Sequence, residues 1–396
     1  MDELHNPYAP GAGTLPPELT GRDGILEGAA VALDRVRLGR SARSHILYGL
    51  RGVGKTVLLN RIVQEAQTRG HITTKIEAPE GRSLPSLLVP ALRATLIRVS
   101  AAEKAKAGAR AAMRVLGSFL KSMKITFGDV EASIDVDAAA GLADSGDLAI
   151  DLADLFASLG DFAKDQKTAL VIAIDELQYV PQEQLEALIQ AQHQINQRQL
   201  PVVVIAAGLP QLITQLGQAK SYAERLFQFE LIDRLDDTAA TLALCKPAER
   251  ENVAYDPGAI AEILKQTRGY PYFLQEWGKH TWRIAPASPI QPEDARAATE
   301  SALAELDAGF FRVRFERLTP GEKRYLRAMA ELGPGPHRSG DVAERLGKRV
   351  TAYGPVRSSL IAKGMLYSPA HGETAFTVPL FDGFMKRTRP DALSAA

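Results

Sequence analysis

Residues Gly49, Leu50, Arg51, Gly52, Val53, Gly54, Lys55 and Thr56 follow the pattern G-x-x-x-x-G-K-[ST]. This spacing suits the phosphates of a nucleoside triphosphate. The glycines let successive backbone N–H groups converge on phosphate oxygens, where a side chain would block approach. Lys55 can reach the β- and γ-phosphates, and the Thr56 hydroxyl can ligate Mg²⁺. Well downstream, the apolar run Ala169 to Ile174 closes on Asp175 and Glu176. A buried parallel strand would deliver both acids to its C-terminal edge. Asp175 is then expected to hold Mg²⁺, largely through water. Glu176 is expected to orient and polarise an attacking water. The expected chemistry is Mg²⁺-dependent hydrolysis of a nucleoside triphosphate.

These residues need a scaffold, and the flanking sequence supplies one. Ser44 to Tyr48 reads as a short strand before the loop. Thr56 to Val63 has helical spacing, so a helix N-terminus points at the phosphates and Val57 joins the nucleotide contacts. Pro201 to Ala207 is another strand, running into Gly208. With His71 to Ile76 and Arg225 to Leu231 there are five candidate strands with helices between them. The pattern predicts an α/β fold, a parallel five-stranded sheet with helices on both faces.

Composition bounds the rest. The 396 residues suffice for two or three domains, each with its own core. The formal net charge is zero, which gives no global electrostatic case for nucleic acid. A single cysteine, Cys245, excludes an internal disulfide and fits a reducing cytoplasm. The N-terminus has neither a basic nor an apolar signal region. The longest apolar run, around Leu200 to Ile213, contains Pro201 and Pro210 and is too short to span a bilayer. No membrane association is expected.

The motifs together resemble the AAA+ ATPases, in particular the branch of origin-recognition-type initiators and STAND signalling ATPases. The resemblance covers most of residues 15–285. It rests on Gly21-Arg22-Asp23, the phosphate loop, Ile174-Asp175-Glu176, Gly208-Leu209-Pro210, Ala223 to Phe227 and Gly269-Tyr270-Pro271. It implies that Leu19 to Asp23, with Arg22, lies against the adenine, and that Pro271 packs nearby. It also implies that Arg225 reaches the γ-phosphate of a neighbouring copy in a nucleotide-dependent homo-oligomer. A guanidinium there stabilises charge spread over the transferring phosphoryl group. Two departures stand out. The end of the fourth strand, Ile205-Ala206-Ala207-Gly208, carries no polar side chain to hold water, and Gly269 to Gln275 carries no sensor arginine. Both imply slow turnover, below ~1 per second.

Beyond the sheet, Thr238 to Cys245, Asp256 to Thr267 and Tyr272 to Trp282 read as helices of a lid, with Trp277 and Trp282 packing it. Between the second strand and Asp175 lies a charged insertion. Residues 93–124 carry eight basic residues against one acid, and residues 129–165 carry ten acids against Lys164. Ile125, Phe127, Ile134 and Val136 suggest one or two short strands there. One reading pairs the basic and acidic faces. The other makes a protruding element, with Lys104, Lys106, Arg110 and Arg114 contacting DNA or a partner.

After a proline-marked linker, a helix is expected from about Pro292 to Arg317. Thr319-Pro320-Gly321-Glu322 then opens a new unit. Helices at Pro320 to Leu332, Ser339 to Leu346 and Thr351 to Lys363, then strands at Met365 to Tyr367 and Ala375 to Val378, predict a winged helix-turn-helix. Residues 319–389 carry twelve basic residues against six acids. The third helix would offer Thr351, Tyr353, Arg357 and Ser358 to a major groove, with Lys348 and Arg349 on phosphates.

The expected division is an N-terminal extension with the adenine-side segment at 1–30 and an ATPase core at 31–234, with the insertion at about 100–145. A lid at 235–285, a linker and connecting helix at 286–318 and a winged helix at 319–390 complete it. The expected function is a cytoplasmic AAA+ ATPase controlling binding of double-stranded DNA, or assembly on it, through the C-terminal domain. The alternative is a STAND-like nucleotide switch signalling to a protein partner, with the winged helix regulatory.

Overall fold

The computed structural model describes residues 1–11, 13–101, 105–129 and 138–388. The chain packs as two units. One comprises residues 22–48 and 55–231; the other comprises 1–21, 49–54 and everything from 232 onward. The expected extension at 1–30 therefore divides at Gly21.

The first unit is built on β1 (Ser44–Tyr48), β2 (Ile72–Glu77), β3 (Leu170–Asp175), β4 (Val202–Gly208) and β5 (Phe227–Leu231). Their order is β2-β3-β4-β1-β5, and every neighbouring pair is parallel. All residues of β3 and β4 are buried, so both strands read as unbroken apolar runs rather than alternating ones. The helices are α1 (Asp23–Arg37), α2 (Lys55–Thr68), α3 (Leu84–Ser100), α4 (Lys106–Thr126), α5 (Leu148–Asp165), α6 (Gln182–Gln197), α7 (Gln211–Ala219) and α8 (Ala223–Leu226). Leu170, Ile172 and Ile174 share a core with residues of α3 to α7. Their alternates Val171 and Ala173 are buried outside that core, while α1 and α2 contact the sheet. The strand period of two thus separates two covered faces.

The charged insertion departs from expectation. Ile125 lies in the last turn of α4 and Phe127 caps that helix, so neither is in a strand. Ile134, Val136 and Lys104 lie outside the described residues. Leu116, Phe119 and Met123 of α4 and Phe156 of α5 are fully buried in the sheet unit's core, so these helices pack rather than protrude. Asp129 pairs with Arg82 at 3.7 Å and Asp161 with Arg198 at 3.1 Å, both partners outside the basic segment. Asp151 is buried and accepts from Ser122 Oγ at 2.6 Å and Ser145 Oγ at 2.7 Å, so it is a structural group.

The second unit starts with α9 (Asp237–Arg250), α10 (Pro257–Thr267), α11 (Pro271–Ile284) and α12 (Pro292–Leu306). A π-turn at Asp307–Phe311 leads into α13 (Arg312–Glu316). Then come α14 (Pro320–Glu331), β6 (His337–Arg338), α15 (Ser339–Arg345), α16 (Gly354–Ala362), β7 (Leu366–Tyr367), β8 (Glu373–Phe376) and α17 (Phe381–Thr388). β6, β8 and β7 form an antiparallel sheet in that order. Thr319 and Glu322 cap α14 reciprocally, as a capping box. The helix expected from Thr351 begins instead at Gly354, after a 3₁₀ turn at Val350–Tyr353. Pro355 has no N–H to return to the Thr351 carbonyl, so an α-helix cannot run through it from that side.

Aromatic side chains dominate this second core: Phe273, Trp277, Trp282, Phe311, Tyr325, Phe381 and Phe384 are all at most 2% exposed. The N-terminal residues belong to it. The Met1 amino group donates to Ala285 O at 2.8 Å, and Trp282 Nε1 donates to Asp2 O at 2.8 Å. Tyr8 is buried, donates to Leu244 O and accepts from the Tyr255 hydroxyl at 3.0 Å. A Cβ on Gly278 would stand 2.6 Å from the Tyr8 ring, so only glycine admits that ring.

Candidate nucleotide site

The phosphate loop has the backbone its chemistry needs. Gly52 and Gly54 sit at φ +80° and +93°, the left-handed region where glycine carries no steric cost. Gly49 is fixed by space instead: a Cβ there would stand 2.0 Å from Ile232 O. Tyr272 N donates to Gly52 O at 3.1 Å, and Arg51 N donates to Thr377 O at 2.9 Å. The Arg51 Nε also reaches Gly364 O at 3.4 Å. Leu50 is half-buried and Val53 is buried. The turn beside the C-terminal strands thus touches the loop.

Lys55 and Thr56 open α2, and Val57 follows half-buried in its first turn. Lys55 is buried. The structure brings Thr56 and Asp175 together, with the threonine hydroxyl bonded to the carboxylate. Asp175 ends β3 and is only 3% exposed. Burial pushes its pKa above the usual carboxylate range, the neighbouring Glu176 charge pushes the same way, and the bonds from Thr56 and the Glu176 N–H pull against them. A carboxylate held at such a cost beside a hydroxyl fits a divalent cation, which would remove the penalty.

Glu176 stands at φ 55°, ψ 36°, a left-handed conformation that costs a non-glycine residue roughly 1 kcal/mol or more. Its carboxylate accepts from the Gln178 side-chain amide. The Gln178 carbonyl Oε1 in turn accepts from Leu209 N at 3.0 Å, just past β4. Gln178 is 5% exposed, and Gln215 Nε2 donates to its backbone carbonyl at 3.2 Å. Sequence reasoning found no polar group at the end of β4 and missed that Gln178 supplies one from the neighbouring strand's exit. The available signal was Asp-Glu-x-Gln beside a strand end without polar side chains.

The remaining expected residues are placed as follows. Arg22 precedes α1 as its N-cap, and Pro271 is the first residue of α11; the two lie in different units. Arg225 lies exposed in the short helix α8, before β5 rather than in it. Lys348, Arg349, Thr351 and Ser358 are exposed. Tyr353 is half-buried, its ring 5.8 Å from that of Tyr325. Arg357 is engaged inside its module: its guanidinium donates to Thr374 Oγ1 at 2.8 Å, Ser368 Oγ at 2.8 Å and Glu373 O at 2.9 Å. It ties α16 to the strands.

A glycine-turned phosphate loop leading into a helix, with a buried carboxylate from an adjacent parallel strand on its threonine, defines a P-loop nucleoside triphosphatase. Residues 18–205 match the model of the AAA ATPase domain family, and this part of the chain is an AAA+ P-loop ATPase domain. Residues 308–385 match the model described as Domain of unknown function (DUF8462). Loosely similar solved structures include the Aeropyrum pernix Orc1 protein in complex with DNA, 14% identical over 94% of each chain with a TM-score of 0.45. Another is Cdc6p from Pyrobaculum aerophilum, 14% identical over 99% of each chain, TM-score 0.45. The Thermotoga maritima RuvB Holliday junction branch migration motor is 16% identical over 90% of this chain and 92% of its own, TM-score 0.44. No curated protein sequence matches the chain. Among the described residues, no helix is long and apolar enough to cross a membrane.

Proposed function

We propose that the protein is a slow, Mg²⁺-dependent ATPase whose nucleotide state controls its binding to, or assembly on, double-stranded DNA. The pairing of Thr56 with the buried Asp175 beside the phosphate loop carries this reading. Lys55 binds the phosphates, and Thr56 and Asp175 hold the cation. Mg²⁺, when bound, neutralises charge on the phosphate oxygens. Glu176 orients the water and accepts its proton. Gln178 restrains the Glu176 carboxylate, a brake that fits slow turnover. Arg22 and Pro271 flank the adenine, and the exposed Arg225 acts on a neighbouring copy's nucleotide. The C-terminal helices and three-stranded sheet act as a winged helix, with Lys348, Arg349, Thr351 and Tyr353 toward DNA and Arg357 holding the wing. The lone cysteine, Cys245, supports a cytoplasmic setting for this activity.

The test is steady-state ATP hydrolysis with and without duplex DNA, with Glu176→Gln as the control. Turnover below ~1 per second that DNA changes several-fold, and that the control abolishes, is the expected result. Fast turnover indifferent to DNA overturns it.

One observation favours a second reading, a STAND-like switch signalling to a protein partner. The Arg51 N–H is engaged by Thr377 O, so the C-terminal module grips the phosphate loop. If that grip is the switch, amide exchange across residues 365–378 rises when ATP replaces ADP, with or without DNA. Unchanged exchange excludes it.

A further inference from the structure

Helices α11 and α12 of the lid bring together three side chains that the ATPase chemistry does not use. Glu276 and His280 are four residues apart on α11 and so lie on one face of it. Glu305 comes from α12. One ligand atom from each lies within 4.8 Å of the other two.

The environment is not that of an ordinary surface ion cluster. Glu276 is 4% exposed and His280 is 3% exposed. Glu276 Oε1 accepts from the Tyr272 hydroxyl at 3.0 Å, but its Oε2 has no hydrogen-bond partner. Neither ring nitrogen of His280 has one. His280 Nε2 stands 3.0 Å from Glu305 Oε2, a contact without hydrogen-bond alignment. Leaving a buried polar atom unpaired is destabilising. Glu276 Oε2 and one nitrogen of His280, the single ligand atom that an imidazole can offer one ion, point to something that satisfies them together.

Charge narrows what that is. Lys279 Nζ stands 2.6 Å from Glu305 Oε1 and 4.0 Å from Glu276 Oε2. It occupies the outer oxygen of Glu305 and leaves Oε2 turned to His280. Two carboxylates, one ammonium and a neutral imidazole leave one negative charge, which suits a dication. One imidazole with two carboxylates is a zinc-type donor set. Ligands on tetrahedral zinc stand about 3.4 Å apart, given bonds of about 2.1 Å. The exposed Glu305 side chain, whose Oε2 is already 3.0 Å from His280 Nε2, has room to adjust to that spacing.

We propose that Glu276, His280 and Glu305 form a zinc site that clamps α11 to α12, with water completing the coordination. Glu276 is the junction. Through Tyr272 it is linked to Gly52, whose carbonyl accepts from Tyr272 N at 3.1 Å. Zinc therefore stiffens the lid where it meets the phosphate loop.

The test uses the full chain, stripped with chelator and free of nucleotide. Zinc is titrated by calorimetry, and Co²⁺ replaces it for absorption spectra. One ion per chain at micromolar affinity or tighter is expected, with cobalt bands of low coordination number. His280→Ala and Glu305→Gln each weaken binding by more than the ~10–100-fold that loss of an outer-shell partner costs. Glu305 is exposed, so its variant keeps the fold even if His280→Ala does not; tryptophan fluorescence of Trp277 and Trp282 reports this. No zinc bound by the native chain, or unchanged affinity in Glu305→Gln, overturns the site.

Discussion

Asp175 and Glu322 are buried to the same degree, 3% exposed, one in each unit, and their surroundings push them opposite ways. Burial and the adjacent Glu176 charge raise the Asp175 pKa against the bonds from Thr56 and the Glu176 N–H. Burial works on Glu322 too, but Lys363 Nζ at 2.8 Å, Ser359 Oγ at 2.7 Å and the Thr319 N–H at 2.7 Å overcome it and hold its pKa down to about 2. The sheet unit keeps a charge at a cost where chemistry needs it. The helical unit surrounds its charge with donors and gains stability from it.

The sharpest way to break this contrast is Asp175→Asn. It should lower ATP hydrolysis by roughly 10³-fold or more, as loss of a metal-holding charge does. In nucleotide-free protein at pH 7 it should also slow amide exchange in β3 and β4, because the neutral amide removes the burial penalty. Faster exchange there would mean that Asp175 stabilises its unit, and the contrast would fail.

Tyr8→Ala probes the other side. Its ring fills the space against Gly278 and its hydroxyl meets Leu244 O, so truncation should cost about 3–5 kcal/mol. Both tryptophans lie in the helical unit, so the urea midpoint of tryptophan fluorescence should fall. Exchange in β3 should not change, since Tyr8 packs outside that unit's core. A shared loss in both would show that the two units unfold as one.

The same contrast decides what was legible in the sequence. Val171 to Asp175 and Val202 to Ala207 are runs of β-formers because both sheet faces are covered, and such runs can be read directly. The P-loop is legible because its glycines are forced by backbone conformation and by the close carbonyl of Ile232. The helical unit was less so. Met1 to Tyr8 is bound by contacts more than 230 residues away in sequence, which no local pattern encodes. β6 has two residues and so no period. α17 did leave a signal, Phe381, Phe384 and Met385 at helical spacing, all buried. Arg357 looked like a groove contact because its type and position fit one. Only the strands placed beside it reveal where its donors go.

Gln178 tests whether the sheet unit's site was fully read. Removing its amide in Gln178→Ala takes one bond from the Glu176 carboxylate and leaves the Leu209 N–H without its Gln178 acceptor. As a brake on the carboxylate, its loss should raise kcat several-fold with KM nearly unchanged. A fall of about 10–100-fold would instead make Gln178 a positioning residue and overturn the brake. Unchanged kcat would leave Gln178 a packing residue.

The smallest effect expected is also the one with a defined pH window. Glu322 has a folded pKa of about 2, below its ordinary value of 4.5. A depressed carboxylate contributes stability that is fully present above its unfolded pKa. That contribution is lost as pH falls from about 4.5 toward 2. Glu322→Gln keeps the shape, and its one carbonyl oxygen can still accept from the Thr319 N–H, but its amide then meets Ser359 as a donor and the charge pair with Lys363 is lost. At pH 7 it should therefore unfold earlier in urea, by about 1–2 kcal/mol in the tryptophan-reported transition. The gap to the native chain should close as pH drops below 4.5. Asp175→Asn should show the reverse sign at pH 7 and likewise converge with the native chain in acid, because a protonated Asp175 no longer carries the buried charge. Two variants that lose the same formal charge would then shift the two units in opposite directions.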